Sequence, residues 1–161
     1  MPISVAGNNR RRAKANEAGF TIIELMIVVT LIALAAATVA LAFPGDAARL
    51  RDDAARFAAR TRAARDMAII EGRSVSVWVS AGGYGFDRRA AQGWEPIADK
   101  PLRVARWSDG IRSDVTSPDG RARVTFDSTG FVSAPLTVDL HHGDRHQLVR
   151  IGSDGVVRLD G

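Results

Sequence analysis

The sequence predicts an α+β protein in which a long N-terminal helix packs on a mainly antiparallel β-sheet domain. Three observations lead to this fold class. Residues 20–43 form an almost uninterrupted apolar run, residues 44–72 carry an amphipathic helical pattern, and residues 73–161 alternate apolar and polar side chains with period two. Because the helical and β patterns occupy separate parts of the chain, helices and strands should be segregated, as they are in α+β proteins.

The apolar run contains a single charged residue, Glu24. As a helix, residues 20–43 would extend about 36 Å, which is enough to cross a hydrocarbon core of about 30 Å once. A carboxylate within a bilayer costs about 2.5 to 3.5 kcal/mol, and such residues usually serve function. The sequence therefore predicts a single membrane-spanning helix, and Glu24 is expected to pair with a group of opposite charge.

The segment before the apolar run, residues 1–19, is a basic leader. It holds four of the 22 basic and one of the 18 acidic residues, so the remaining chain has 18 basic against 17 acidic residues and a formal charge of +1 instead of +4. Its arginines predict a cytoplasmic N-terminus and a C-terminal domain on the far side of the membrane. Since the excess positive charge lies in the leader, nucleic acid is not expected as a partner of the remainder.

The order of residues around Gly19 resembles that of type IV pilin and type II secretion pseudopilin precursors. A basic leader ends in Gly19, Phe20 and Thr21 follow, and Glu24 precedes the long apolar helix. The resemblance implies that prepilin peptidase cuts between Gly19 and Phe20 and that the new amine of Phe20 is methylated. It further implies that Glu24 neutralises the N-terminus of a neighbouring subunit during filament assembly.

The N-terminal region also fits two alternative hypotheses. The apolar run could be an ordinary membrane anchor with an incidental Glu24 near its cytoplasmic end. It could also be a cleavable secretory signal, because Ala40, Leu41 and Ala42 have the small-x-small form of a signal peptidase site. Against a secretory signal, its h-region usually spans about 7 to 15 uncharged residues, fewer than this run.

An amphipathic helix is predicted after a break at Pro44 and Gly45, with Asp46 as its N-cap and its end near Gly72. Its expected buried stripe follows spacings of four and three: Leu50, Ala54, Phe57, Thr61, Ala64 and Ala68. Its arginine-rich faces are predicted to be solvated, with i,i+4 pairs between Asp52 and Arg56 and between Arg62 and Asp66. Binding of these faces to lipid headgroups or nucleic acid is the alternative.

The β domain, residues 73–161, is predicted from alternating segments separated by glycine-containing turns. One hairpin can be predicted in detail, because Gly143 and Asp144 suit a two-residue type II′ turn. That turn places Leu136 opposite Ile151 and His141 opposite His146. The expected strands are Val75–Val79, Tyr84–Arg88, Leu102–Trp107, Ile111–Thr116, Ala122–Phe126, Leu136–His142, Arg145–Ile151 and Val156–Leu159.

Several short segments of this domain resemble the general secretion pathway protein H family, which are minor pseudopilins of the type II secretion system. They are residues 68–75, 83–86, 94–97, 101–103, 126–130 and 152–157. The resemblance implies a non-enzymatic subunit with a pilin-like fold, held in the bacterial inner membrane with a periplasmic domain. It is expected to assemble at or near the tip of a pseudopilus that exports folded exoproteins. The implied partners are prepilin peptidase, other major and minor pseudopilins, the inner-membrane assembly platform and secreted exoproteins.

A minor type IV pilin of the FimT-like group, acting in pilus assembly, adhesion or DNA uptake, is the alternative within filament biology. Arg145 and Arg150 in the C-terminal hairpin could then contact phosphate. The segment from Trp94 to Ile97 favours the secretion family.

An enzyme or metal protein is the alternative from another class. The sequence has no cysteine, and its densest group of titratable residues is His141, His142 and His146 with Asp139 and Asp144. Since His142 should point away from the other two, a solvated hairpin is predicted, with no catalytic residue, metal or cofactor.

Further residues of a chemically reactive or aromatic type are expected to be structural. Ser128, Ser153 and the Asp-Gly pairs fit ordinary turns. Trp78, Trp94 and Trp107 could contact an exoprotein, but core or half-buried strand positions are expected.

Overall fold

The computed structural model describes residues 21–42, 45–114, 117 and 119–160. Two helices precede nine strands, and the chain divides after Phe43 into two compact units. The helices are α1, Ile22–Ala42, and α2, Asp46–Glu71. The strands are β1 Val75–Ser80, β2 Gly83–Ala90, β3 Gly93–Pro96, β4 Ala105–Arg106, β5 Arg112–Asp114, β6 Arg121–Phe126, β7 Leu136–His142, β8 Arg145–Ile151 and β9 Val157–Asp160.

The second unit consists of α2 and two antiparallel sheets. Sheet A has the order β3-β2-β1-β6, and the short β4 also pairs with β2. Sheet B has the order β5-β7-β8-β9. Helix α2 contacts β1 and β6 of sheet A and β7, β8 and β9 of sheet B, so one helix joins the two sheets. The predicted α+β class is confirmed.

The buried face of α2 is the stripe that the sequence predicts. All six predicted residues are buried, together with Asp53 and Ala58. Phe57 lies at its centre with no exposed area, and its ring meets those of Tyr84 and Trp107 edge-on at centroid distances of 4.9 and 5.6 Å. These aromatic contacts stabilise the helix on sheet A through burial and favourable ring geometry.

The two ends of α2 differ in how well the sequence predicted them. Gly72 ends the helix as expected, with a positive φ of 61° and its N–H directed at carbonyls of the last turn. The prediction of Asp46 as N-cap was wrong, because Gly45 occupies that position without a side-chain hydrogen bond. Asp46 is instead the first helical residue, where a carboxylate is favoured by the helix dipole.

The ion pairs predicted along α2 are replaced by other contacts. Arg56 pairs with the buried Asp53 at 2.5 Å, and Arg62 donates to the carbonyl of Val157 at 2.8 Å. Asp53 also accepts from the N–H and hydroxyl of Ser108 at 2.6 and 3.1 Å. A buried carboxylate needs such partners, and Asp53 therefore ties α2 to the loop before β5.

The C-terminal hairpin agrees with prediction residue by residue. Strands β7 and β8 have the predicted bounds, and Leu136 pairs with Ile151 and His141 with His146. Gly143 has a φ of 58° and Asp144 is not in the left-handed region, as a type II′ turn requires.

One predicted strand is shorter in the structure than expected, and one observed strand was not predicted. The expected strand over residues 102–107 shrinks to Ala105–Arg106, because Arg60 of α2 donates to the carbonyls of Pro101 and Arg103. Strand β3 was not predicted, because it begins with glycine and ends with proline, which are both disfavoured in strands. It is an edge strand that pairs with β2.

Replacing Phe57 with alanine should lower the free energy of unfolding by about 3 to 5 kcal/mol, because it removes a fully buried ring. The measurement is urea unfolding of residues 46–161, which we expect to be a soluble monomer. Ala59→Gly, at an exposed position of the same helix, is the control and should cost about 1 kcal/mol. A change below about 1 kcal/mol for Phe57→Ala would contradict the observed packing.

Asp127 predicts a pH effect on stability. Its Oδ1 accepts hydrogen bonds from the hydroxyl and N–H of Thr129, at 2.6 and 2.8 Å, and from the N–H of Phe131 at 3.1 Å. These bonds lower the pKa of Asp127 below its ordinary value. The stability they contribute is therefore present above the ordinary pKa of about 3.9 and is lost as the pH falls through the lower folded-state value.

Asp127→Asn should accordingly be less stable than the wild type near neutral pH, and the difference should shrink in strong acid. Thermal melts across that range measure it, with Asp109→Asn in another turn as the control. A difference that stays constant with pH would contradict the assignment.

Candidate assembly site on the N-terminal helix

The predicted cleavage site, Gly19 and Phe20, lies outside the described residues. The description begins at Thr21, one residue after the predicted cleavage point. Glu24 is described, and it lies in the first turn of α1.

Thr21 is the N-cap of α1 and organises the turn that carries Glu24. The Thr21 hydroxyl accepts a hydrogen bond from the N–H of Glu24 at 3.2 Å, and its carbonyl accepts from the N–H of Leu25 at 3.1 Å. A threonine followed three residues later by a glutamate is the signature of a capping box. This role of Thr21 was missed in the sequence, although the Thr-x-x-Glu spacing could have revealed it.

The carboxylate of Glu24 is exposed and forms no hydrogen bond to any of the described residues. It occupies the third position of the helix, where the partial positive charge of the N-terminus favours an anion. The side chain therefore keeps its capacity to accept hydrogen bonds from a cationic group outside this helix.

The rest of α1 offers little else to a partner than apolar surface. Every large apolar side chain from Ile22 to Leu34 is exposed by between 44% and 80%. The hydroxyls of Thr30 and Thr38 donate to the carbonyls of Met26 and Ala35, each at 2.7 Å, so their polarity is satisfied within the helix. A helix that is apolar on all sides needs an apolar environment, which is either lipid or other helices.

Among the residues that the structure describes, no helix combines the length and the hydropathy that crossing a membrane requires.

The histidines of the β7–β8 hairpin form separate pairs with carboxylates. His146 lies 3.1 Å from Asp139, His141 lies 3.7 Å from Asp114, and His142 lies 4.0 Å from Asp46. His141 and His146 share a face, with ring centroids 5.8 Å apart. Within the described ranges, no three His, Cys, Asp or Glu side chains are grouped closely enough to hold a metal ion.

The two hairpin arginines occupy different surroundings. Arg150 pairs with Asp160 at 3.0 Å. Arg145 lines an open groove of about 670 Å³ together with Arg51, His146 and Gln147. Ser128 and Ser153 lie exposed in turns, as the sequence predicts.

The three tryptophans are distributed between the core and the surface. Trp107 is buried, and its Nε1 donates to the carbonyl of Ser80 at 3.2 Å. Trp78 is half-buried, whereas Trp94 is 38% exposed. Trp107 and Trp78 therefore match the prediction of core or half-buried positions, and Trp94 does not.

Solved structures of filament subunits share the fold. EpsH, a minor pseudopilin of the Vibrio cholerae type 2 secretion system, matches with a TM-score of 0.59 and 21% identity over 70% of this chain and 97% of EpsH. A second EpsH structure gives 0.57 and 18% over 69% and 92%. The type IV minor pilin FimU of Pseudomonas aeruginosa gives 0.54 and 18% over 70% and 88%. At such identities the likeness shows the fold alone.

No curated protein matches the chain. A model of the prokaryotic N-terminal methylation motif matches residues 14–40, and a model of the type II transport protein GspH matches residues 53–155. The second match covers more than half of the 161 residues and confirms the resemblance drawn from the sequence. The chain therefore belongs to the GspH family of type II transport proteins.

Proposed function

We propose that this chain is a minor pseudopilin that moves from the bacterial inner membrane into a periplasmic pseudopilus and there supports export of folded exoproteins. Residues 20–43 anchor it, with the N-terminus in the cytoplasm and residues 44–161 in the periplasm. Its place is at or near the tip. The observation that carries the proposal is the first turn of α1, where an exposed carboxylate lies at the end of a helix that is apolar on all sides.

Maturation is the first step of the proposed function. Prepilin peptidase removes residues 1–19 by cutting between Gly19 and Phe20, and the amine of Phe20 is methylated. The methylation-motif match over residues 14–40 supports this step, because it includes both residues and Glu24. The cut leaves a cationic amine one residue before the Thr21 cap, at the same end of α1 as Glu24.

Assembly is the second step. The amine of one subunit and the Glu24 carboxylate of its neighbour pair as their apolar helices pack together. In an apolar surrounding, the attraction between two unit charges is several times stronger than in water, although each charge loses hydration. The ion pair therefore favours transfer of a helix from lipid to the filament only where a second helix supplies the opposite charge. The Thr21 cap keeps the first turn of α1 formed throughout this transfer.

The proposed partners follow from these steps. They are prepilin peptidase, other major and minor pseudopilins, the inner-membrane assembly platform and the exported proteins. Its proposed role is structural, that of a non-enzymatic filament subunit.

A minor type IV pilin is the second candidate function, because the type IV minor pilin FimU has a similar fold. Both EpsH and FimU match this fold, so the fold does not separate the two. The GspH family match supports the secretion role. The pairing of Arg150 with Asp160 lowers the positive charge that the hairpin could offer to DNA phosphates.

Replacing Gly19 with valine should leave the leader attached, because the peptidase is expected to require the small residue before the scissile bond. Mass spectrometry of the membrane-extracted protein should show methylated Phe20 as the first residue of the wild type and an uncut chain in the variant. Gly45→Val is the matched control, since a side chain there meets nothing within 4 Å. A wild-type chain that begins at Phe43 would show a secretory signal instead.

Replacing Glu24 with alanine should leave insertion and cleavage normal and should strongly reduce entry into filaments. Glu24→Asp should retain part of the activity, since its shorter side chain reaches the amine less well. The readouts are inner-membrane level, leader removal and cysteine crosslinking between neighbouring pseudopilins, with Glu71→Ala at the exposed end of α2 as the control. Wild-type crosslinking and secretion by Glu24→Ala would show that the charge is incidental.

A further inference from the structure

The face of sheet A that points away from α2 carries tryptophan and arginine side chains. Residues of a strand alternate between faces, and directly paired residues share a face. Val75, Val77 and Val79 of β1 are buried and belong to the face that α2 contacts, so Trp78 lies on the other face. The register places Arg123 of β6 beside Trp78.

Trp78 is held in place from both sides. A Cβ built on Gly85 would overlap its ring, so the indole rests directly against the Gly85 backbone. The guanidinium of Arg121 lies 4.5 Å from the ring centroid. Such stacking orders an otherwise flexible arginine before any partner arrives.

A second arginine is ordered in the same way on this face. Arg89 pairs with Trp94 across β2 and β3, and its guanidinium lies 5.5 Å from the Trp94 ring centroid. Between the two stacks, Arg123 is bound to Asp87 at 3.0 Å and to the Ser76 hydroxyl at 3.1 Å. Asp87 is thus occupied by Arg123 and does not neutralise the stacked arginines.

Arg89 and Arg121 keep their hydrogen-bonding capacity. Neither guanidinium forms an ion pair or a hydrogen bond within the parts of the chain that the structure describes, and both side chains are exposed. A stacked guanidinium still directs its N–H groups outward in its own plane, where a carboxylate can bind both at once.

The size and chemistry of this face indicate the class of partner. Arg121 lies opposite Ser80, which pairs with Gly83, and Arg89 is six residues farther along β2. That offset separates the two arginines by about 20 Å along the strands, which exceeds the reach of a small anion. Nucleic-acid bases need free aromatic faces, whereas Trp78 already has Gly85 on one side and Arg121 on the other.

The geometry points to this Trp-Arg face as a docking surface for the acidic surface of a protein partner, whose carboxylates bind Arg89 and Arg121. Tryptophan and arginine are the residues that most often dominate protein interfaces. Ordering both guanidinium groups beforehand lowers the entropy cost of binding. The surface is distinct from Glu24, because it lies wholly on sheet A.

The first test measures binding of poly-L-glutamate to the full chain in detergent. Arg89→Glu with Arg121→Glu should weaken binding about tenfold or more. The control, Arg112→Glu with Arg145→Glu on sheet B, changes the net charge equally and should weaken it less than about twofold. Equal losses in both variants, or no loss in the first, would overturn the proposal.

Two further arms make the result specific. Arg89→Lys with Arg121→Lys keeps the charge and removes the planar fork, so binding should fall in part while near-ultraviolet circular dichroism stays that of the wild type. Oligo-dT of matched charge should bind more weakly than poly-L-glutamate, and tighter binding of oligo-dT would assign the face to nucleic acid instead.

The second test identifies the partner in cells. A photo-crosslinking residue at Thr125, on the same face, should link to a protein whose crosslinked peptide is acidic. Reversing the acidic charges of that protein should restore crosslinking to the Arg89→Glu and Arg121→Glu chain. Failure of this rescue, or crosslinks to basic or uncharged peptides, would overturn the proposal. Leader removal in the same strains tests the proposed function independently, since it does not require sheet A.

Discussion

The packing of one helix, α2, against two sheets is the interaction on which the rest of the globular domain depends. Sheets A and B are not joined by a continuous ladder within the described residues, and α2 contacts strands of both. The buried stripe around Phe57 supplies the apolar surface with which α2 packs on the sheets. Arginines of the same helix bind backbone carbonyls, with Arg62 on Val157 at the start of the edge strand β9 and Arg65 on Gly130 in a turn at 3.1 Å. These bonds satisfy backbone groups that no strand covers, which buried loops require. The helix therefore sets both the core and the course of the loops.

The two helices differ in how their apolar side chains are distributed. Helix α2 is amphipathic, because one face meets the sheets and the other meets water. Helix α1 is apolar all round with one charge in its first turn, so it has no fixed buried face. Such a helix can pass from lipid to a bundle of helices with little change in solvation. In the proposed function, the charge of Glu24 is what makes that passage favourable or unfavourable, and Thr21 caps the turn that carries it.

The two faces of sheet A also differ in the side chains that they carry. One face is apolar and packs on α2, whereas the other holds guanidinium groups on tryptophan rings and glycine backbone. Strand alternation alone assigns a side chain to one face or the other. Gly85 shows why the exact residue matters, because any side chain there would push Trp78 off the sheet. The two faces of sheet A can thus serve separately, one in packing against α2 and the other in the proposed recognition of a partner.

The sequence by itself determined the features that depend on local periodicity and local turns. These are the α2 stripe, the end of α2 at Gly72, the β7–β8 register and the family. Each is set by spacing within a few residues, so no distant contact can easily reverse it. Only the tertiary structure decided which partner each arginine takes, why the strand expected around Leu102 shrinks, and that β3 exists as an edge strand. Arg56 pairs with Asp53 and not with the predicted Asp52, and Arg60 donates to the carbonyls of Pro101 and Arg103. Such choices depend on which groups the fold brings within about 3 Å of a long, flexible side chain, and that proximity is absent from the order of residues.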